Sequence, residues 1–96
     1  MKIRLTSHAV RDLEAVDDYI RRENPEAAVK TVLRVLDAIE ALVEFPNVGR
    51  PGRVPGTREL VVSRTPFIVP YRVARNEIWV LRVLHASRCW PDDLGG

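Results

Sequence analysis

Apolar residues in the first half of the chain follow one strand pattern and then two helical patterns. Residues 2–6 alternate between polar and apolar side chains, which predicts a short strand. Helical spacing of apolar residues begins just after Thr6 and Ser7, either of which can cap the helix. The sequence Asn-Pro-Glu at residues 24–26 breaks this helix and starts a second one, which runs to Phe45. Two helices joined this tightly are expected to form an antiparallel hairpin.

The hydrophobic period changes to two after a loop of prolines and glycines at residues 46–56. Three runs of β-branched and apolar residues follow and predict an antiparallel meander, with turns at residues 65–66 and 75–76. The three predicted strands are Thr57–Arg64, Phe67–Ala74 and Glu77–His85.

The predicted order β-α-α-β-β-β defines an α+β fold in which the helical hairpin packs on one face of an antiparallel sheet. Residues 1–96 are expected to form one domain, with residues 92–96 as a flexible tail. Pro70 is a misfit inside the middle strand, because proline removes a ladder donor. That strand is therefore expected to be bulged or one-sided at this proline.

The net charge of +2 hides an asymmetry along the chain. Residues 1–45 carry seven basic and nine acidic residues, a net of −2, whereas residues 46–96 carry eight basic and four acidic ones, a net of +4. All eight basic residues of the second half are arginines, the residue type suited to planar recognition of phosphate or carboxylate. The sheet is therefore expected to present a positive surface.

Composition and motifs exclude several classes of protein. The single cysteine, Cys89, cannot form an internal disulfide, and we expect the protein to be cytoplasmic. No apolar run is long enough for a membrane helix, and no cofactor motif occurs. His8, His85 and Cys89 are the only histidine and cysteine residues, too few for a zinc site, so no metal site is expected. Trp90 either closes the edge of the core or marks a contact surface.

The sequence leaves one feature of the arginine surface open. A two-residue turn at residues 75–76 pairs Arg72 with Trp79 and places Arg72 and Arg82 on opposite faces. A three-residue loop would place the two arginines on the same face, because a slip of one residue reverses the sides.

Four stretches of the second half carry a family resemblance: FPNVGR at 45–50, GTREL at 56–60, PYRV at 70–73 and IWVLRVLHASR at 78–88. Together with the opening of the first helix, they make residues 3–91 resemble the RelE/ParE superfamily of type II toxin–antitoxin toxins. The resemblance implies the same helical hairpin on a sheet, no cofactor, and a toxin that a partner antitoxin silences.

Within this superfamily the sequence is more similar to the ParE branch, whose members poison DNA gyrase, than to the RelE branch of ribosome-dependent mRNA endonucleases. No tyrosine follows Tyr71, and Ile68 stands where RelE-like enzymes carry an arginine. Gyrase, or the DNA that it holds, is thus the implied target. The residues expected to form the target-binding surface are Arg50, Arg53, Arg58, Arg72, Arg82, Arg88 and Trp90.

Two other functions stay open. A RelE-like ribonuclease would use His85 as general acid or base, with Arg82 and Arg88 stabilising the charged phosphate. Otherwise the chain is a non-toxic module that still binds its antitoxin.

The resemblance also implies a partner, a ParD-like antitoxin through which the pair binds operator DNA indirectly. Its acidic, amphipathic segment is expected to cover the helical hairpin and part of the arginine surface. The residues expected to contact it are Leu13, Val16, Ile20, Leu33, Leu36, Val43 and Arg64.

Overall fold

The computed structural model describes residues 1–87 and confirms the predicted α+β fold. Two helices cross one face of a six-stranded sheet, and a 3₁₀ turn at Ala41–Val43 extends the second helix. The helices are α1 (Ser7–Arg21) and α2 (Pro25–Glu40), and the strands are β1 (Lys2–Leu5), β2 (Arg50–Pro51), β3 (Arg58–Val61), β4 (Phe67–Ala74), β5 (Glu77–Val80) and β6 (Leu84–His85).

Both helices begin at the predicted caps. The Thr6 side chain accepts a hydrogen bond from the Ala9 N–H at 3.1 Å, and Asn24 accepts one from the Ala27 N–H at 3.0 Å. Each cap satisfies one of the donors that a helix start leaves without a partner. The Thr6 hydroxyl also donates to the Leu81 carbonyl, so the start of α1 is attached to the segment after β5.

The sheet is mixed, whereas the sequence predicted an antiparallel one. Its order is β1-β5-β4-β3-β2, and β1 runs parallel to β5, with Lys2 opposite Glu77 and Leu5 opposite Val80. Parallel neighbours need a long connection, and here the helices and three strands supply it. The strands β3, β4 and β5 form the predicted antiparallel meander.

One face of the sheet, called the inner face below, packs against the helices. Val69, Val80 and Val62 join Val35 and Ile39 of α2 in the main core cluster. A second cluster of fully buried residues brings Leu42 against Tyr71 and Ile78. Because side chains alternate along a strand, the neighbours of these residues lie on the opposite, outer face.

The last predicted strand, Glu77–His85, is interrupted at residues 81–83. Tyr71 pairs with Val80 but Ile68 pairs with Leu84, so β6 is shifted by one residue relative to β5 along β4. Pro70 lies opposite this bulge, and its carbonyl accepts a hydrogen bond from the Leu81 N–H. The strand that carries Pro70 is thus continuous, and the bulge expected in it lies instead in the strand that faces the proline.

The strand predicted at Thr57–Arg64 is also shorter, because the chain turns earlier than expected. The N–H of Val62 donates to the Phe67 carbonyl, and the Thr65 hydroxyl accepts a hydrogen bond from the Phe67 N–H at 3.1 Å. Arg64 has a φ of 64°, in the left-handed region. Residues 63–66 are thus a closed turn, and Arg64 lies in that turn and not on the strand.

An ion pair between Arg4 and Glu77 joins β1 to β5 and lowers the pKa of the Glu77 carboxyl. The hydrogen bond from Arg4 is the main cause of the lower pKa. A carboxyl with a lowered pKa stabilises the folded state above its unfolded pKa, and this contribution is lost as the pH falls below about 4.3. We expect Glu77→Gln to flatten the loss of stability in this acid range, measured as melting temperature against pH. An unchanged acid slope in the variant would contradict this assignment.

Candidate functional site

A groove of about 580 Å³ lies between α1 and the turn that joins β3 to β4. Side chains from one side of α1, the turn and the β6 strand line it, and Thr31 of α2 also contributes. The lining is partly apolar and partly cationic: Ala15, Val16, Tyr19, Ile20, Phe67, Val83 and Leu84 supply apolar surface, and Arg64, Arg82, Asp12 and His85 supply polar groups.

Arg82 is fixed at one end of the groove by Asp12. Its Nε and Nη2 donate to the two carboxylate oxygens of Asp12 at 2.6 and 3.1 Å, and the Val83 N–H donates to the same carboxylate at 3.0 Å. The Arg82 and Asp12 side chains are only 19% and 18% exposed. This bidentate contact ties α1 to the bulged segment at residues 81–83.

His85 lies at the rim of the groove and is exposed. Its Nδ1 accepts a hydrogen bond from the Ser87 N–H at 3.2 Å and lies 2.7 Å from the Ser87 hydroxyl oxygen. The ring meets Phe67 edge to face, with centroids 5.8 Å apart. Because Nδ1 is an acceptor, the neutral ring carries its proton on Nε2.

A second charged cluster, the Glu59 cluster, lies on the outer face and consists of Arg50, Arg53 and Glu59. The Nε of Arg50 donates to Glu59 Oε1 at 2.9 Å, and the Nε of Arg53 lies 3.9 Å from Oε2. The two arginine side chains are 60% and 56% exposed, whereas that of Glu59 is 5% exposed. A buried carboxylate thus hydrogen-bonds one exposed guanidinium group and forms a longer ion pair with a second.

The loop before β2 is held by Tyr71 and Arg58. The Tyr71 hydroxyl donates to the Pro46 carbonyl at 2.8 Å and accepts from the Gly49 N–H at 2.9 Å. Arg58 donates to the Asn47 and Gly49 carbonyls at 3.2 and 2.8 Å. Arg58, predicted to contact the target, therefore has its guanidinium on the protein's own backbone.

Arg72 and Arg82 lie on opposite sides of the sheet. Arg72 pairs with Trp79, as the two-residue turn predicts. The residues on either side of each belong to the inner face, so the side chains of Arg72 and Trp79 lie on the outer face. Arg82 instead reaches Asp12 on the helical side. The arginines predicted as one target surface are therefore divided, with Arg50, Arg53 and Arg72 on the outer face and Arg82 beside the groove.

The residues predicted to contact an antitoxin also fall into separate places. Val16, Ile20 and Arg64 line the groove together. Leu13 packs against the main core, whereas the other three lie on α2 or on the 3₁₀ turn that follows it, with exposures of 40–52%. Those three are Leu33, Leu36 and Val43.

Two predicted site residues, Arg88 and Trp90, and the predicted tail at residues 92–96 lie outside the described residues. Within residues 1–87, no group of three histidine, cysteine or acidic side chains is placed to hold a metal ion. None of the helices in that range is long and apolar enough to cross a membrane.

Sequence reasoning missed the two acids that organise these arginines. Asp12 lies on the polar side of α1 and is 70 residues away from its partner, so helical periodicity marked it as a solvated charge. Glu59 carried a weak signal, because it is one of two acids between residues 46 and 91 and lies in a β-branched run. An isolated acid in an arginine-rich strand is therefore worth testing as an internal partner.

Comparison with known proteins assigns the chain to the toxins of type II toxin–antitoxin systems. The family described as the ParE toxin of the type II toxin–antitoxin system parDE matches residues 3–90. The chain belongs to this ParE toxin family. The superfamily inferred from the sequence motifs is thus confirmed.

Relatives and solved structures agree with this family. The chain is 44% identical over 93 residues to "Putative toxin Y4kP" of Sinorhizobium fredii, covering 97% of this chain and 96% of that protein. It is 39% identical over 83 residues to "Toxin RelE2" of Caulobacter vibrioides, covering 86% and 92%. The chromosomal ParDE system from P. aeruginosa superposes with a TM-score of 0.81 at 36% identity, covering 88% of this chain and 95% of that one. The RelBE2 toxin–antitoxin complex of Mycobacterium tuberculosis gives a TM-score of 0.62 at 26% identity, with the same coverage.

Proposed function

We propose that this ParE-family toxin arrests growth in the cytoplasm by poisoning DNA gyrase and that it does not cleave mRNA. The observation that carries the proposal is the bidentate contact between Arg82 and Asp12. A RelE-like ribonuclease would use the cation of Arg82 to stabilise the charged phosphate. Here the carboxylate of Asp12 neutralises that cation and fixes it against α1.

The cost of releasing Arg82 supports this choice. Moving the guanidinium to a phosphate would leave the carboxylate of Asp12, which is only 18% exposed, without its main partner. An uncompensated charge in such a position costs roughly 3 kcal/mol or more. The Val83 N–H holds the same carboxylate and keeps it in place. The pair is therefore better suited to stabilising the fold than to catalysis.

A RelE-like mRNA endonuclease is the second candidate, and His85 favours it. Its Nε2 is the ring nitrogen not engaged by Ser87, and the ring shares the rim of the groove with Arg64. A histidine with one nitrogen oriented and the other facing solvent is a usual arrangement for a general acid or base. The match to a protein named RelE2 agrees with this second candidate.

Induced expression in a bacterial host separates the candidates. We expect growth arrest accompanied by double-strand breaks in the chromosome, detected by pulsed-field electrophoresis, with intact messages in primer-extension assays. Messages cut within ribosome-bound codons, together with an unbroken chromosome, would replace the proposal with the ribonuclease. Normal growth at full expression would leave only a non-toxic antitoxin-binding module.

The groove is the proposed docking site for a ParD-like antitoxin. An amphipathic segment would place apolar side chains against Val16, Ile20 and Phe67, and its acidic side chains near Arg64. Opposite charges at the rim speed association and fix the orientation of the segment. Leu33, Leu36 and Val43 lie outside this groove and would serve a second part of the antitoxin. Operator DNA would then be bound through the antitoxin.

The rim charge provides a direct test of this docking site. We expect Arg64→Glu to weaken binding of the antitoxin encoded beside this chain by about tenfold or more, because it places like charges together. Arg75→Glu is the matched control, since Arg75 is also an exposed turn arginine with a positive φ, of 52°, but it does not line the groove. Calorimetry on both variants checks the prediction, and equal losses of affinity would refute it.

A further inference from the structure

The carboxylate of Glu59 is buried more completely than its hydrogen bonds explain. The residue is 4% exposed, and its Oε1 accepts one hydrogen bond from Arg50. Its Oε2 is buried and has no hydrogen-bond partner, and the Nε of Arg53 lies 3.9 Å from it. An ionised carboxylate is costly to bury unless it is paired and hydrogen-bonded, so an unsatisfied oxygen of this kind calls for an explanation.

The two arginines approach Glu59 from different sides of its carboxylate, Arg50 through a hydrogen bond and Arg53 as a longer ion pair. Each directs its Nε toward a different oxygen of the one carboxylate. A guanidinium has five N–H donors, so this contact leaves the four Nη donors of each arginine available. Within residues 1–87 those Nη groups form no hydrogen bond to the protein, and both side chains are more than half exposed.

We propose that the Glu59 cluster binds a phosphate of a polynucleotide backbone and that Glu59 is the positioning residue that orients Arg50 and Arg53 toward it. Two guanidinium groups gathered at one carboxylate bring several exposed N–H donors together, and the planar donor fork of arginine matches phosphate oxygens. Orienting the forks before binding removes part of the entropy cost of ordering two long side chains. The cluster keeps a net charge of +1, because the two arginines outnumber the acid.

A phosphate backbone fits this surface better than an acidic protein segment does. Arg72 lies on the same outer face, two residues along β4 from Pro70, which pairs with Glu59. The positive charges therefore continue along the sheet, as a ligand with repeated negative charges requires. The apolar groove expected to bind an antitoxin segment is on the helical side, away from this cluster.

This inference deepens the proposed function, because it assigns the DNA held by gyrase as the ligand of one surface. It is tested with the full chain and a fluorescein-labelled DNA duplex of mixed sequence, without gyrase. Binding is followed by fluorescence anisotropy between about 50 and about 200 mM salt.

Arg53→Gln is the first variant, because the Arg50–Glu59 contact remains and the buried carboxylate keeps its hydrogen-bonded partner. We expect a loss of affinity for the duplex of about threefold to tenfold. The slope of log affinity against log salt concentration should become shallower by about one. Arg34→Gln, an exposed arginine on α2, removes the same charge far from the cluster and should change the affinity less than twofold. Equal losses in the two variants would show a diffuse charge effect and overturn the proposal.

Glu59→Gln gives the sharper result, because two explanations predict opposite changes in the affinity for the duplex. The variant makes the surface more positive by one charge, so simple electrostatic attraction predicts tighter binding. A positioning role predicts binding about threefold weaker, since the glutamine amide has one acceptor oxygen and no charge and can no longer hold both arginines. Circular dichroism melting confirms that the variant is folded, and tighter binding by a folded variant would overturn the proposal.

The outcomes for this cluster and for the proposed function are separable. Wild-type duplex affinity in Arg53→Gln, together with weaker binding of the antitoxin, would make the cluster a carboxylate site and overturn the phosphate assignment. Gyrase poisoning could still hold in that case. Loss of duplex binding in a chain that never breaks chromosomes would instead overturn the proposed function and leave the phosphate site standing.

Discussion

Replacing Asp12 with alanine is expected to destabilise the protein by about 3 kcal/mol. The substitution removes the carboxylate that accepts two hydrogen bonds from Arg82 and one from the Val83 N–H. It leaves a guanidinium that is 19% exposed without this acid, at the point where the sheet bulges. The melting temperature should fall by roughly 10 to 20 °C.

The matched control is Asp18→Ala, since Asp18 is also an acid of α1 paired with an arginine. Its partner Arg22 is 3.5 Å away and both side chains are at least 70% exposed, so the expected change is within about 0.5 kcal/mol. The double variant Asp12→Leu/Arg82→Met removes both charges and should be more stable than Asp12→Ala. A melting temperature of Asp12→Ala equal to that of the control would contradict the assigned role.

Gly49→Ala is the second large effect, and it arises from close packing. A Cβ at this position would lie 2.7 Å from the Cε1 and hydroxyl oxygen of Tyr71 and 2.9 Å from the Glu59 carbonyl oxygen. Tyr71 is fully buried and cannot move aside, so the loop must shift. We expect a loss of about 2 to 3 kcal/mol in urea denaturation, with the hydrogen bonds of Tyr71 to the loop weakened.

Gly56→Ala distinguishes this clash from a general effect of removing a loop glycine. Gly56 has a φ of 83°, and no atom lies within 4 Å of the place that a Cβ would occupy, so its cost is limited to backbone strain of about 1 kcal/mol. Gly49→Ala should therefore be clearly the less stable of the two. Equal stabilities would show that Tyr71 does not pack against Gly49 as described.

Local signals in the sequence were enough to predict most of the fold. The caps at Thr6 and Asn24, the turn at residues 75–76 and the bulge opposite Pro70 each depend on a short stretch of chain. The pairing of strands that are distant in the sequence was harder to predict. The parallel contact of β1 with β5 joins residues about 75 positions apart, and no property of residues 2–6 alone specifies that neighbour.

The candidate sites could be predicted only in part, for the same reason. An arginine-rich sheet follows from composition, but its division between the groove side and the outer face depends on the register and on the bulge. The bulge brings Arg82 to Asp12, and the β2–β3 pairing brings Arg50 to Glu59. These acid partners decide which arginines stabilise the fold and which remain exposed for a ligand.

The central claim, that this ParE-family toxin acts through gyrase, is tested most directly with purified gyrase, supercoiled plasmid and ATP. The account predicts that adding the wild-type chain makes linear plasmid accumulate after the reaction is stopped with detergent and protease. Prior addition of the antitoxin should prevent this accumulation. Undiminished supercoiling with no linear product, while the same preparation cuts ribosome-bound mRNA, would contradict it.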